Sequence, residues 1–120
     1  MCAFFTGKPE QQKLEQFIGK DILTAEQFTL DELETVINLA AYYEDKVKNK
    51  VRLYDMDGKV MSSLFFESST RTRLSFETAM LRLGGNVVTV AESADTKISS
   101  TSKGETLRDT IMAVSYTHLL

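Results

Sequence analysis

Apolar residues recur along this chain in two periods, and the points where the period changes mark its elements. From Thr29 the period is helical: Leu33, Val36, Ile37, Ala40 and Val47 fall along one stripe. Thr29 followed by Glu32 is a capping-box pattern, in which hydroxyl and carboxylate satisfy the exposed amides of a first turn, so an amphipathic helix is predicted over about 30–48. Asp57-Gly58 marks a turn. Behind it, the run from Lys59 to Phe66 is predicted as a strand buried on both faces, as strands of parallel sheets usually are. Glu67-Ser68-Ser69-Thr70 then supplies small polar residues suited to capping a helix. Phe76, Ala79, Met80 and Leu83 follow at i, i+3, i+4 and i+7, and Gly84-Gly85 stops that helix. Asn86–Val90 is a second strand. Strand, helix and strand with short joints form a βαβ unit, which implies a parallel pair and a right-handed crossover. The expected class is therefore α/β, a parallel sheet with flanking helices.

The flanks are less regular. Residues 1–20 hold the only proline, Pro9, and read as a loosely packed leader with a short helical stretch around Gln11–Phe17. Residues 91–103 are a long polar stretch with one large apolar residue, Ile98. Loops beyond about 12 residues in compact domains tend to be functional or disordered. A last helix is predicted from about Gly104, with Leu107, Ile111 and Val114 on one face. Two strands do not make a stable open sheet, so the domain is expected to be incomplete.

Composition narrows the classes. A length of 120 residues suffices for one small domain. The formal net charge of -3 argues against a general nucleic-acid-binding surface. No window approaches the roughly 20 apolar residues of a membrane helix, and the start of the chain lacks the basic residues and longer apolar run of a secretory signal. Cys2 alone cannot form an internal disulfide, which fits a reducing compartment, and a soluble cytoplasmic protein is the default expectation. With one cysteine and one histidine, His118, nothing has metal-ligand spacing.

The chemistry concentrates in Ser68-Ser69-Thr70-Arg71-Thr72-Arg73, where a predicted parallel strand gives way to a helix. Ligands of open α/β sheets bind at the carboxyl ends of the strands. A helix start offers unpaired amides and the positive end of its dipole, both favourable to phosphate. Ser69, Thr70 and Thr72 add hydroxyl donors, and an arginine adds a planar charged fork matched to phosphate oxygens. The plainer interpretation is that the hydroxyls merely cap and the arginines are solvated. Arginines spaced i, i+2 cannot both serve one ligand from the same face, so Arg71 is taken as the ligand arginine and Arg73 as structural.

The run Phe65-Phe66-Glu67-Ser68-Ser69-Thr70-Arg71-Thr72-Arg73-Leu74-Ser75-Phe76-Glu77 resembles the carbamoyl-phosphate signature of the aspartate and ornithine carbamoyltransferases. The likeness continues through Leu81-Arg82-Leu83-Gly84-Gly85 and resumes at Lys103-Gly104-Glu105-Thr106-Leu107 and Asp109-Thr110, spanning about residues 20–114. Lys-Gly-Glu-Thr and Phe66-Glu67-Ser68-Ser69 resemble the aspartate branch, whereas ornithine enzymes more often carry a Gly-Arg-Gly-Glu type sequence in the former place. The resemblance implies carbamoyl transfer from carbamoyl phosphate to L-aspartate, an early step of pyrimidine biosynthesis. It implies that Ser69, Thr70, Arg71 and Thr72 hold the phosphate and carbamoyl groups. Arg71 would stabilise charge on the departing phosphate, and Thr72 would polarise the carbamoyl carbonyl. Ser99, or Ser100 in its place, and Lys103 would sit on a loop reaching a neighbouring subunit's active site, with Lys103 contacting both substrates. By itself Lys103 would read as a solvated loop lysine. Glu105, whose charge already suits a helix start, would pair with the site arginine. Neither metal nor organic cofactor is implied; a homotrimer with shared active sites is, and a regulatory chain is compatible with it.

The sequence departs from that pattern after Val114. A further strand, an Arg and a His that bind carbamoyl phosphate, and a second, aspartate-binding domain are expected there. Instead the chain runs Ser115-Tyr116-Thr117-His118-Leu119-Leu120. Residues 1–114 are thus expected to form an incomplete carbamoyl-phosphate-binding domain and 115–120 a non-native tail. The aspartate-binding domain would be absent and the fragment inactive by itself. The rivals are an ornithine carbamoyltransferase fragment and a non-catalytic phosphate-binding α/β module. A nucleic-acid module built on Thr70–Arg73 is opposed by the acidic balance and the lack of interleaved aromatics.

Overall fold

In the computed structural model of this chain, residues 7–66, 69–91 and 106–118 are described. The elements run α1 (Gln11–Glu15), a 3-10 turn (Ala25–Gln27), α2 (Leu30–Lys48), β1 (Val60–Phe65), α3 (Thr70–Arg82), β2 (Asn86–Ala91) and α4 (Leu107–His118). They fall into two units, Met1–Val51 and Arg52–Leu120. The class is α/β, as the periodicity predicts.

In the first unit, α2 begins on the expected capping box. The Thr29 hydroxyl accepts from the Glu32 amide at 3.2 Å, and the Glu32 carboxylate accepts from the Thr29 amide at 2.9 Å. The same carboxylate is gripped by Lys20, and Lys13 reaches Asp31 at 3.0 Å, so the segment before α2 holds its first turn through charge. The covered face of α2 is not its apolar stripe. Glu32 and Thr35 are buried, at 5% and 2% exposed, whereas Leu33 and Ile37 of the apolar stripe remain 39% and 53% exposed. Periodicity locates a stripe but does not say which segment lies across it. Ile37, Ala40, Ala41 and Glu44 line a shallow groove along the helix. At its far end, Lys50 adopts φ 55°, and the Lys50 and Val51 amides donate back to Val47 and Lys46 at 3.1 and 2.9 Å. Those crossed bonds close the helix end, with a lysine where glycine is usual.

In the second unit, β1 and β2 pair in parallel, from Val60↔Asn86 to Phe65↔Ala91. Helix α3 packs on both strands and α4 contacts β1. Gly84-Gly85 ends α3 as expected. The Gly84 amide donates to Leu81 and the Gly85 amide to Met80, each at 3.1 Å, with Gly84 at φ 86°. A Cβ on Gly84 would lie 2.9 Å from the Leu53 carbonyl oxygen, so this turn has a steric as well as a conformational need for glycine. The Met56 amide donates to Leu83 and the Asn86 amide to Lys59, both at 2.9 Å, tying the Asp57-Gly58 turn to the entry into β2.

Burial falls short of the expected two-sided strand. Within β1 only Ser63 is buried, at 4% exposed, and the other residues are half-buried. Among the described residues Met80 is the sole buried apolar side chain, and Phe76, expected on the inner stripe of α3, is exposed. A strand is buried on both faces only where layers cover both. Among the described residues the sheet has two strands, and each keeps an open edge there. Among the described residues, no helix is long and apolar enough to cross a membrane.

Candidate functional site

The start of α3 differs from the other long helix starts of this chain. Its N-cap, Ser69, follows β1 after a short joint and has φ -134° and ψ 63°, and its side chain makes no capping hydrogen bond. The first helical bond runs from the Arg73 amide to the Ser69 carbonyl at 3.0 Å. The amides of Thr70, Arg71 and Thr72 therefore lack an intrahelical acceptor. The first turn carries no acidic residue, and Thr70, Arg71 and Thr72 are all exposed. Three amides, three hydroxyls and a guanidinium thus lie within four consecutive residues, with the helix dipole adding positive potential.

In α4 the Thr106 hydroxyl accepts from the Asp109 amide at 3.2 Å and the Asp109 carboxylate accepts from the Thr106 amide at 3.1 Å. The carboxyls of Glu32 and Asp109 are both held below their ordinary range. For Glu32 the main cause is the hydrogen bond from Lys20, then the Thr29 amide; for Asp109 it is the Thr106 hydroxyl, then its amide. Both helices carry their own anion at the start, where α3 has none.

The two arginines part company. Arg73 lies 3.8 Å from a carboxylate oxygen of Glu77, one turn further along α3, and both side chains are largely covered. Among the described residues no carboxylate pairs with Arg71. The Glu77 oxygen also accepts the hydroxyls of Ser63 in β1 and Thr89 in β2, each at 2.9 Å. Sequence reasoning passed over this cluster. Its signals were the i, i+4 spacing of Arg73 and Glu77 and the polar pair Ser62-Ser63 in an otherwise apolar strand.

Of the residues singled out from the sequence, Ser69, Thr70, Arg71 and Thr72 are brought together at the start of α3. Ser99, Ser100, Lys103 and Glu105 lie outside the described residues, as do Glu67 and Ser68. Among the described residues there is no group of three or more His, Cys, Asp or Glu side chains that could hold a metal ion.

Comparison with known proteins gives this geometry a context. Residues 20–118 match the family model of the aspartate/ornithine carbamoyltransferase, carbamoyl-P binding domain. The chain belongs to this family. Within it, the chain is 48% identical over 98 residues to the aspartate carbamoyltransferase catalytic subunit of Clostridium acetobutylicum, covering 81% of this chain and 30% of the relative. It is 44% identical over 96 residues to the catalytic subunit from Thermococcus onnurineus, covering 80% and 30% respectively. A crystal structure of aspartate transcarbamoylase from Trypanosoma cruzi, in complex with carbamoyl aspartate and phosphate, superposes with a TM-score of 0.75. The identity there is 40%, over 86% of this chain and 31% of that one. The chain thus spans about 30% of the length of the carbamoyltransferases it matches.

Proposed function

We propose that this chain supplies the carbamoyl-phosphate-binding part of an aspartate carbamoyltransferase, with the start of α3 as the phosphate site. The observation that carries the reading is the unfilled helix start, where uncapped amides and Arg71 sit in a first turn free of acidic residues. Family membership supports carbamoyl phosphate as the anion, and the aspartate carbamoyltransferase relatives support aspartate as the acceptor.

In this reading Ser69, Thr70 and the helix amides hold the phosphate. Arg71 balances the negative charge that grows on phosphate as it leaves. Thr72 donates to the carbamoyl oxygen, which becomes an oxyanion when the unprotonated amine of aspartate attacks the carbamoyl carbon. The C–N bond forms, the attacking nitrogen gives up one proton to the departing phosphate, and the tetrahedral centre collapses as the carbamoyl C–O bond breaks. The protein's contribution is fixed positive charge and positioning rather than covalent chemistry. Lys103 and Ser99 would complete the site from a neighbouring subunit in a trimer, in a cytoplasmic enzyme of pyrimidine biosynthesis that is compatible with a regulatory chain.

The test has two stages. Inorganic phosphate titrated into the isotopically labelled chain, once a cooperative melt shows it folded, should shift the amide resonances of Thr70, Arg71 and Thr72; no shift in the folded chain would remove the anion site. A full-length carbamoyltransferase that carries this chain is then assayed with carbamoyl phosphate and either L-aspartate or L-ornithine. Turnover with aspartate supports the reading, and turnover with ornithine alone moves the chain to the other branch.

A further inference from the structure

The Glu77 cluster has no part in the chemistry above, yet it joins the three elements that shape the site. Ser63 and Thr89 are direct partners in the parallel register, so their side chains leave the same face of the strand pair side by side. Both hydroxyls donate to one oxygen of Glu77, at 2.9 Å each. That oxygen also faces the Arg73 guanidinium at 3.8 Å, one turn back toward the start of α3. Ser63 is buried and the Glu77 side chain largely covered, whereas Thr89 is exposed, so the Ser63–Glu77 bond is the stiffer half of the cluster.

The geometric consequence follows from helical periodicity. Fixing one residue of a helix against two strands fixes rotation about the helix axis. Rotation decides where the side chains of the first turn point. Glu77 lies seven positions after Thr70, about two turns, so the azimuth set at Glu77 is close to that of Thr70. Arg73, drawn toward Glu77 on the sheet side, leaves Arg71 on another side of the helix.

We infer that Glu77 is a positioning residue of the phosphate site: its carboxylate, accepting from Ser63 and Thr89 together, sets the rotation of α3 and so aims Thr70, Arg71 and Thr72. The inference rests on the phosphate site proposed above. It does not depend on which amine accepts the carbamoyl group.

The experiment measures inorganic phosphate binding by amide shifts at Thr70–Thr72, alongside thermal melts, for the chain and three variants. Glu77→Leu keeps the bulk but removes the acceptor, and should weaken binding about 10-fold. Glu77→Gln keeps an oxygen acceptor and should bind close to wild type. The double variant Ser63→Ala with Thr89→Val removes both donors, leaves the carboxylate and Arg73 in place, and should match Glu77→Leu. If Glu77→Leu does not fold, that double variant carries the test. Unchanged phosphate affinity in the folded Glu77→Leu or double variant overturns the inference, and so does Glu77→Gln binding as weakly as Glu77→Leu. Silence of the wild-type chain toward phosphate overturns the site reading itself, and is distinct because no variant is involved.

Discussion

Helices α2 and α3 begin in opposite ways. The first amides of α2 meet Thr29 and Glu32 from their own chain, and Asp31 adds a second negative charge within the first turn. The first amides of α3 meet no side-chain cap, and its first turn carries Arg71 and Arg73 and no acidic residue. Both ends carry the same positive partial charge from the peptide dipoles. In α2 that potential is used to stabilise the fold; in α3 neither a side-chain cap nor a first-turn carboxylate answers it, which is the basis of the phosphate site proposed above. A helix start left unsatisfied costs stability, of the order of the 1 kcal/mol a good cap contributes.

The contrast can be broken most severely at Arg71. Arg71→Ala should lower phosphate affinity by about 100-fold, because a charge-assisted bond is worth up to about 3 kcal/mol. The melting transition should barely move, since this side chain is exposed. Affinity falling in step with stability would instead mark Arg71 as structural. A gentler change makes α3 resemble α2. Thr72→Glu places a carboxylate three residues after Ser69 and should stabilise the helix by up to about 1 kcal/mol, while weakening phosphate binding about 10-fold or more. Thr72→Gln, which can close the same capping box without charge, should bind better than Thr72→Glu if repulsion is the cause.

The reverse experiment addresses α2. Thr29→Ala should destabilise the chain by about 1 kcal/mol in urea unfolding and leave phosphate binding unchanged. A loss of binding there would mean that the two helix starts are coupled. The smallest effect is the pH dependence of the α2 cap. Glu32 is held below its ordinary carboxyl value, chiefly by Lys20, so folding favours its ionised form. Its contribution is therefore complete above the ordinary value of 4.5 and is lost as pH falls through the lowered one. Glu32→Gln should flatten that acid limb of the stability profile, measured by unfolding at a series of pH values. An unaltered limb would assign the acid sensitivity to other carboxylates.

Much of this was legible in advance, for identifiable reasons. Short-range rules fixed what depends on neighbours in the chain: the Thr29–Glu32 box, the Gly84-Gly85 stop and the Asp57-Gly58 turn each lie within a few residues. The parallel pairing of β1 and β2 was legible because a strand, a helix and a strand in succession leave few alternatives. The local grouping of Ser69, Thr70, Arg71 and Thr72 followed from adjacency alone. What escaped prediction depended on distant partners. The stripe of Leu33, Val36 and Ile37 was read correctly as a stripe, but its exposure depends on what lies across the helix. The Ser63–Glu77–Thr89 cluster needs the register of two strands and the rotation of a helix at once, and no spacing rule carries both.

The parallel register has a kinetic meaning. Val60 pairs with Asn86, 26 positions further along, so no short hairpin can begin this sheet. Closing a loop of that length costs about 3 kcal/mol of chain entropy before the first strand contact compensates. Helix α3 shortens the excursion, because a helix advances only about 1.5 Å per residue and returns the chain to β1 already folded. Formation of the turn at Ser69–Thr72 and closure of the strand pair should then occur as one event. A phosphate bound at Arg71 would slow unfolding if that turn breaks up on the way to the unfolding barrier, and would speed folding only if the turn is already made at that barrier.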